Sequence, residues 1–421
     1  MKDRSHKTQA HRIAITGCGG FARKHHKAIL NLEKRGLVKL VATCDPNPQQ
    51  RSNATHDFNL NGRGVKQHES FESMLTENPL LDLVTLPTPL PLHASMHATL
   101  VKQEIPVYLE KPPTLYPVEL EQMLQVEKLA KIPTTIGFNY IHEDNRRELK
   151  QRILAGEFGK LHSVGFIGHW SRPMKYYARN FWAGKLFTNG YPNLDNPAGN
   201  AFSHFLHNLL HWAGLESMNH WAKAHAVQAH YYRTQAIESA DTLFLKARLD
   251  SDVELRFAVS HTWNEQLVNR EILQFDKHRI LYDVNQGYQI ELAGKAIETG
   301  IAHPHDHLET NLIAACELRT SQNRRPTTSL ADTVPFVELQ ALGLIATGKI
   351  KALPETDIEY QRDNSDSSNQ VPVVAGLAEK MEHFVQTENA TSDLYSSSKQ
   401  WVQLNDINFK NSIHELNQAS A

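Results

Sequence analysis

Near the start of the chain, a turn of small residues joins an apolar run to an amphipathic segment, and no other feature limits the fold as much. Ile13-Ala14-Ile15-Thr16 is short and apolar and reads as a buried parallel strand. It runs directly into Gly17-Cys18-Gly19-Gly20-Phe21-Ala22. From Phe21 to Arg35, apolar residues recur with helical spacing at Ala22, Ala28, Ile29 and Leu32. Strand, G-x-G-x-x-G/A turn and helix in that order form a cradle for a pyrophosphate. Gly17 permits the tight turn and Gly19 lets the backbone approach the phosphates. Ala22 is small enough for close helix–strand packing, and the helix N-terminus offers N–H groups to the anion. The cradle as read spans Gly17, Gly19, Gly20, Phe21 and Ala22. Asp45 ends the second strand about twenty residues further on, where a carboxylate accepts hydrogen bonds from ribose hydroxyls and repels a 2′-phosphate. The pattern predicts NAD, with NADP left open because Arg51 follows closely.

Further along, Leu37 to Cys44, Leu81 to Leu86, Pro106 to Leu109 and Thr134 to Gly137 read as strands. His93 to Gln103 and Val118 to Lys131 read as helices between them. Strands alternating with helices predict an α/β N-terminal Rossmann domain with a doubly wound parallel sheet, over residues 1–137. The pattern then changes. Glu148 to Leu154 and Phe202 to Trp212 read as helices, and Leu161 to His169 as a strand. Thr242 to Leu249 and Val253 to Ser260 flank Asp250-Ser251-Asp252 as a hairpin, followed by strands at Arg270 to Phe275 and Arg279 to Asp283. His307 to Leu318 and Thr333 to Ala346 complete the helices. These elements predict an α+β domain with an open, largely antiparallel sheet over 138–350. A polar extension, 351–421, is expected to pack partly on the two domains, with 363–369 as its mobile loop. No internal repeat is visible.

Composition narrows the class. The chain has 421 residues and a formal net charge of −2, so no global field draws it to nucleic acid or an anionic membrane. Its three cysteines are scattered and build no disulfide framework, which suits a reducing compartment. No apolar leader core precedes the first strand and no apolar run is long enough to span a bilayer, so a cytoplasmic protein is expected.

Four segments resemble the family of glucose–fructose oxidoreductase, inositol dehydrogenase and rhizopine-catabolism proteins (Gfo/Idh/MocA). They are GCGGFARKHHKAI at 17–29, TPLPLHASMHA at 88–98, the triplet Glu110-Lys111-Pro112 and GEFGKL at 156–161. The resemblance implies a Rossmann domain followed by an α/β domain whose open sheet commonly mediates homo-oligomerisation. It further implies a nicotinamide cofactor and a sugar or polyol substrate. In the family the triplet's lysine lies beside nicotinamide and the reacting carbon, which makes Lys111 a catalytic candidate that stabilises negative charge on the substrate oxygen. Glu110 is implied to position the strand end. Thr88, Pro89 and His93 are implied to lie along the cofactor, although His93 also reads as a helix-start residue.

Family dehydrogenases often carry Asp-x-x-x-His-x-x-Asp on a helix facing nicotinamide, followed by a glycine. The matching segment here is Asn200-Ala201-Phe202-Ser203-His204-Phe205-Leu206-His207, with Gly214 beyond. His204 is the candidate proton relay, since imidazole exchanges protons near neutral pH. Asn200 and His207 stand where the family has aspartates and are expected to share a helix face with His204 and bind substrate. The departure points to a different substrate or a reversed direction. His211 continues the histidine spacing, and His303 to His307 is a second cluster. Neither matches a zinc pattern, so no metal is expected. The stretch from Gly168 to Trp182 mixes aromatic faces with cations and amides, which suits a sugar pocket or a protein interface. Arg172, Tyr177, Arg179 and Trp182 are its candidates. The family often has an arginine soon after the position of Asn139-Tyr140; here Ile141-His142 follows, so that contact is either lost or served by His142.

The leading expectation is an NAD(P)-dependent oxidoreductase moving a hydride between nicotinamide and a sugar, sugar-acid or cyclitol carbinol. Two rivals remain at this stage. One is a glycoside hydrolase that oxidises the sugar transiently with bound NAD. The other is a non-catalytic NAD(P)-binding regulator, which Asn200 favours and Lys111 with His204 oppose.

Overall fold

A computed structural model describes residues 10–263, 265, 268–302, 307–319, 325–364, 366–387 and 400–420. Two compact units divide the chain. The first gathers Met1–Pro113, Glu121–His142 and His305–Ala331; the second gathers Thr114–Leu120, Glu143–Pro304 and Asp332–Ala421.

In the first unit, strands β1 (His11–Thr16), β2 (Val38–Cys44), β3 (Lys66–His68), β4 (Leu83–Leu86), β5 (Val107–Leu109) and β6 (Thr135–Ile136) form one sheet. Its order is β3-β2-β1-β4-β5-β6 and the pairings are parallel. Order reversal on either side of β1 is the doubly wound arrangement, and ligands bind such sheets outside the carboxyl ends of the strands at that point. Apolar residues of helix α1 (Ala22–Lys34) drive its packing: Ala22, Ala28, Ile29 and Leu32 are buried with Ile13, Ile15, Val38 and Leu40. The same core takes Leu308, Leu312, Ala315 and Cys316 from the helix His307–Glu317. The chain therefore returns to this unit late in the sequence, where Ile136 also donates its amide to the Thr328 carbonyl. Between β2 and β3 lies helix α2 (Pro48–Asp57), unassigned from the sequence, and α3 (Phe71–Glu77) follows β3.

The second unit is built on a ten-stranded sheet. Its path runs Lys295–Ile301, Gly287–Leu292, His278–Asp283, Val268–Phe275, Leu161–His169, Glu254–Ser260, Thr242–Leu249, Ala224–Arg233 and Lys351–Ala352. Val402–Gln403 pairs with Ala224–Arg233 off that path. Most pairs are antiparallel, while Glu254–Ser260 lies parallel to Leu161–His169. Successive residues of a strand face opposite sides. Phe166 stacks on Phe205 of the Ser203–Ala213 helix with ring centroids 4.3 Å apart. Its neighbour Ile167 joins a second core with Phe244, Ala258 and Ile272. Leu377, Met381, Phe384 and Val385 of the helix Leu377–Gln386 complete that core. One face of the middle strands is thus covered by the chain's own polar extension.

The segment 363–369, expected as a mobile loop, connects the antiparallel strands Ile358–Arg362 and Gln370–Val374. Among the described residues, no helix is long and apolar enough to cross a membrane.

Candidate functional site

The glycine turn lies at the carboxyl end of β1. Gly17 has φ +89°, and a Cβ there would stand 3.3 Å from the Cβ of Ala22, so this turn and the small residue beyond it depend on each other. The Gly17 amide donates to the Cys44 carbonyl at 2.6 Å, tying the turn to the end of β2. Gly20 has φ +50°, and a Cβ on Gly19 would meet only the flexible Gln50 amide. Phe21 is exposed, and no side chain caps the start of α1. Asp45 Oδ2 accepts from the Cys18 amide at 2.8 Å and Oδ1 from the Asn47 amide at 2.9 Å. An ionised carboxylate has about four lone-pair sites, so about two remain for ribose hydroxyls. Arg51 donates to the Asp45 carbonyl and to Glu69, which engages its guanidinium. Turn, uncapped helix start and carboxylate fit a dinucleotide. Burial pushes the Cys18 thiol up, keeping it protonated.

At the end of β5, Glu110 is buried and clamped on both sides. Its Oε1 lies 2.9 Å from His25 Nε2, and its Oε2 accepts the Lys111 amide at 3.1 Å. A Cβ on Gly137 would lie 3.1 Å from Glu110 Oε1, so glycine leaves that carboxylate its room. Lys111 is half-buried and precedes a cis Lys111–Pro112 bond. Burial lowers the pKa of its ammonium; Glu110 opposes this and Lys24 adds to it. His93 opens helix α4 (His93–Lys102), with Nε2 2.9 Å from the Thr88 carbonyl and Nδ1 3.1 Å from those of Pro112 and Pro113. It braces the loop after β4 against the turn after Lys111, and burial lowers its pKa against three carbonyls. Thr88 is half-buried and Pro89 exposed. His142 meets Thr327. The sequence reading passed over His25, although it falls in register with Ala22 and Ile29 on the buried face of α1.

In the second unit the helix begins at Ser203, so Asn200 stands before it and does not share its face as expected. Its Nδ2 instead donates to Asp195 Oδ1 at 2.9 Å. His204 is half-buried on the first turn of the helix. His207 is fully buried, its ring 5.2 Å from Trp221 and 6.5 Å from Phe336. Burial, reinforced by Arg146, holds it well below the ordinary imidazole range. His211 is also buried, with Nε2 3.0 Å from the Met218 carbonyl. The helix is anchored from below. Lys150 donates to the carbonyls of His211 and Gly214 at its C-terminus. Glu271 accepts from Asn208 at 2.8 Å and Trp212 at 2.5 Å. The cluster His303 to Asp306 lies outside the described residues, and His307 begins a helix. Among the described residues, no group of three His, Cys, Asp or Glu side chains could hold a metal.

The aromatic stretch forms a cation–aromatic stack. The Arg179 guanidinium lies 3.6 Å and that of Arg172 4.8 Å from the Tyr176 ring centroid, and Arg179 also approaches Trp182 at 5.5 Å. Tyr177 is buried, and burial raises its pKa well above the usual value. Tyr176, Tyr177, Asp195, Asn200 and His261 line a small cavity. His261 and Asp195 were missed by the sequence reading. Burial, with Arg172 next, lowers His261 to about 3.

A parallel sheet wound both ways from β1, with a phosphate cradle at its carboxyl edge, defines a dinucleotide-binding Rossmann unit. Residues 11–138 match the model of the oxidoreductase family with NAD-binding Rossmann fold (Gfo/Idh/MocA). The rhizopine catabolism protein MocA of Rhizobium meliloti is 27% identical over 153 residues, 36% of this chain and 45% of that protein. The match therefore spans less than half of that relative. Among solved structures, the WlbA dehydrogenase from Chromobacterium violaceum in complex with NADH and UDP-GlcNAcA superposes with TM-score 0.66 at 20% identity, covering 88% of this chain and 97% of that one. UDP-N-acetylglucosamine 3-dehydrogenase GnnA from Acidithiobacillus ferrooxidans superposes with TM-score 0.63 at 16% identity, covering 80% and 97%. At these identities the likeness is one of fold.

Proposed function

We propose that the chain is an NAD-dependent oxidoreductase that moves a hydride between nicotinamide and a carbinol carbon of a sugar, sugar acid or cyclitol. The observation that carries this reading is Lys111, a half-buried ammonium at the carboxyl edge of the parallel sheet, its strand end clamped through Glu110. The dinucleotide is held by Gly17, Gly19, Gly20, Phe21 and Ala22, and its ribose by Asp45. Thr88 and Pro89 line its path, with His93 bracing their loop. Bound NAD supplies the hydride acceptor. Lys111 hydrogen-bonds the substrate oxygen and stabilises charge developing on it. His204 takes the hydroxyl proton in oxidation and returns it in reduction. The sugar's apolar faces and hydroxyl rim are met by Arg172, Tyr177, Arg179, Trp182 and Asn200, with His207 packed behind.

That WlbA carries NADH with a nucleotide sugar, and that GnnA is a sugar-nucleotide dehydrogenase, supports both cofactor and substrate class. Self-association through the large sheet and a cytoplasmic location belong to the same reading. Absorbance at 340 nm with NAD and a panel of sugars, sugar acids, cyclitols and nucleotide sugars tests it. A rise with at least one compound is expected; protein that binds NADH yet oxidises or reduces none of them overturns it.

A further inference from the structure

We propose that His25 is a positioning residue for the reaction: through Glu110 it fixes the backbone that carries Lys111 to the substrate. The inference rests on the functional reading of Lys111 given above and gives a role to a buried imidazole that reading does not use.

His25 lies three residues after Ala22 and four before Ile29, so helical spacing turns it inward with them. It is 0% exposed, at a register that packing alone would fill with an apolar side chain. Burying a polar ring costs free energy unless the ring is hydrogen-bonded. Two aromatic rings hold its plane by edge contacts, Phe21 at 5.8 Å and Tyr108 at 5.6 Å between centroids. Its Nε2 stands 2.9 Å from Glu110 Oε1. An ionised carboxylate only accepts, so Nε2 carries the proton and donates. Nδ1 has no hydrogen-bond partner among the described residues, so there the bond to Glu110 is what compensates the ring's burial.

Glu110 passes the constraint on. It is 5% exposed, and its own amide donates to the Leu86 carbonyl at 3.3 Å. Its second oxygen, Oε2, accepts the Lys111 amide at 3.1 Å. One oxygen is held by α1 and the other by the chain itself, so the carboxylate cannot turn without breaking a buried bond. Space is limited as well: a Cβ on Gly137 would lie 3.0 Å from Tyr108 Oη and 3.1 Å from Glu110 Oε1. Gly137 in turn donates its amide to the Leu109 carbonyl at 2.9 Å, closing the chain beyond β6 on the end of β5. Without the imidazole, Oε1 would be a buried carboxylate oxygen lacking its donor, a cost relieved by turning Glu110 and releasing the Lys111 amide. Misplacing a reacting group by about 1 Å through such a distant change can slow a reaction roughly a hundredfold.

The test compares His25→Phe, which keeps a flat buried ring but donates nothing, with His25→Gln, whose amide places an N–H where Nε2 stood. Protein labelled with nitrogen-15 lysine reports the Lys111 amide, assigned by its loss in Lys111→Met. Its exchange with solvent deuterium should quicken roughly tenfold or more in His25→Phe, as expected for one lost hydrogen bond, and return to the wild-type rate in His25→Gln. The second readout is turnover of NAD with myo-inositol, glucose, glucuronic acid and UDP-N-acetylglucosaminuronic acid. For any compound oxidised, His25→Phe should lower kcat roughly ten- to a hundredfold, with KM and the NADH dissociation constant little changed. His25→Gln should restore kcat. A helix merely loosened by the substitution would instead weaken NADH binding along with kcat, because the cradle opens that same helix. Glu110→Gln has one accepting oxygen for two donors and should also speed the exchange, so the proposal can be refuted even if His25→Phe fails to fold. Unchanged exchange in either variant, an unchanged kcat, NADH binding that falls in step with kcat, or His25→Gln as slow as His25→Phe overturns the proposal. If the wild type oxidises none of these compounds, the functional reading loses its support, and the amide exchange alone decides whether His25 holds the Lys111 backbone.

Discussion

Replacing Arg146 with methionine should damage the second unit more than any surface change, because this guanidinium holds the floor of the Ser203–Ala213 helix. It is fully buried, bonded to Glu271 at 2.7 and 3.0 Å and to Glu143 at 3.1 and 3.2 Å. It also lies between the rings of Trp212 and Tyr282, 4.8 and 4.5 Å from their centroids. Methionine fills much of the volume but leaves Glu271 and Glu143 without their cation. Breaking a buried ion pair from one side costs about 3–5 kcal/mol. At roughly 2–4 °C per kcal/mol for a unit of this size, Tm should fall by about 6–20 °C. The loss should depend on pH. Burial raises Glu143 to about 7, so its carboxyl is neutral in the folded protein when an unfolded one has ionised. The stability tied to its protonated form is present at acid pH and lost as pH rises through 7; Arg146 offsets part of that loss by attracting the ionised carboxylate, so Arg146→Met should cost more at pH 8 than at pH 5. Arg146→Lys, which restores charge without the planar fork, should recover only part of the loss. Scanning calorimetry at both pH values measures this; a fall below 2 °C at pH 8, or an equal loss at both, would refute the reasoning.

Four further outcomes follow from the sites. Gly17→Ala should weaken NADH binding at least tenfold by fluorescence titration, since a left-handed φ costs a Cβ-bearing residue roughly 1–2 kcal/mol and this Cβ also meets Ala22. Asp45→Ser should shift the ratio of NADPH to NADH affinity toward NADPH by about tenfold, the electrostatic cost of a carboxylate beside a phosphate being removed; an unchanged ratio counts against Asp45 at the ribose. Lys111→Met should lower kcat by about a hundred- to a thousandfold and leave the NADH dissociation constant within about threefold. His169 is buried against Trp263 and lowered to about 4 by burial, so the native state refuses a proton the unfolded chain accepts below its ordinary value. Its contribution is present at neutral pH and lost as pH falls from about 6.5 toward 4, so His169→Phe should flatten that limb of a stability–pH curve; a limb of unchanged slope contradicts this.

Local patterns made much of the first unit legible. Apolar runs ended by glycine or proline gave β1, β2, β4 and β5, and the glycine turn located the cradle. The helix α2 was missed although its signals are present: Asn47 caps it, accepting the Gln49 and Gln50 amides at 2.9 and 3.3 Å, and Pro48 occupies the first turn. In the second unit, Ala224–Arg233 and the pair Gly287–Leu292 and Lys295–Ile301 went unread because glutamine, glutamate and histidine interrupt their alternation. The helix Leu377–Gln386 was hidden by polar surroundings, though Leu377, Met381, Phe384 and Val385 have helical spacing. At the sites, residues marked by motif were found from sequence, while those acting through contacts were not. His25 reaches Glu110 across 85 positions of chain, and no local pattern announces such a pair. Asp195 lies only five residues from Asn200, but its meaning depends on a turn that periodicity does not describe.

The most direct test of the central claim is transfer of the hydride itself. Protein, NAD and a panel of sugars, sugar acids, cyclitols and nucleotide sugars deuterated at their carbinol carbons would be incubated, and the cofactor recovered for mass spectrometry. At least one compound should yield NADH one mass unit heavy, and Lys111→Met should slow the labelling by about a hundredfold or more while still binding cofactor. Unlabelled cofactor with every compound, from protein that binds NADH, would contradict the claim.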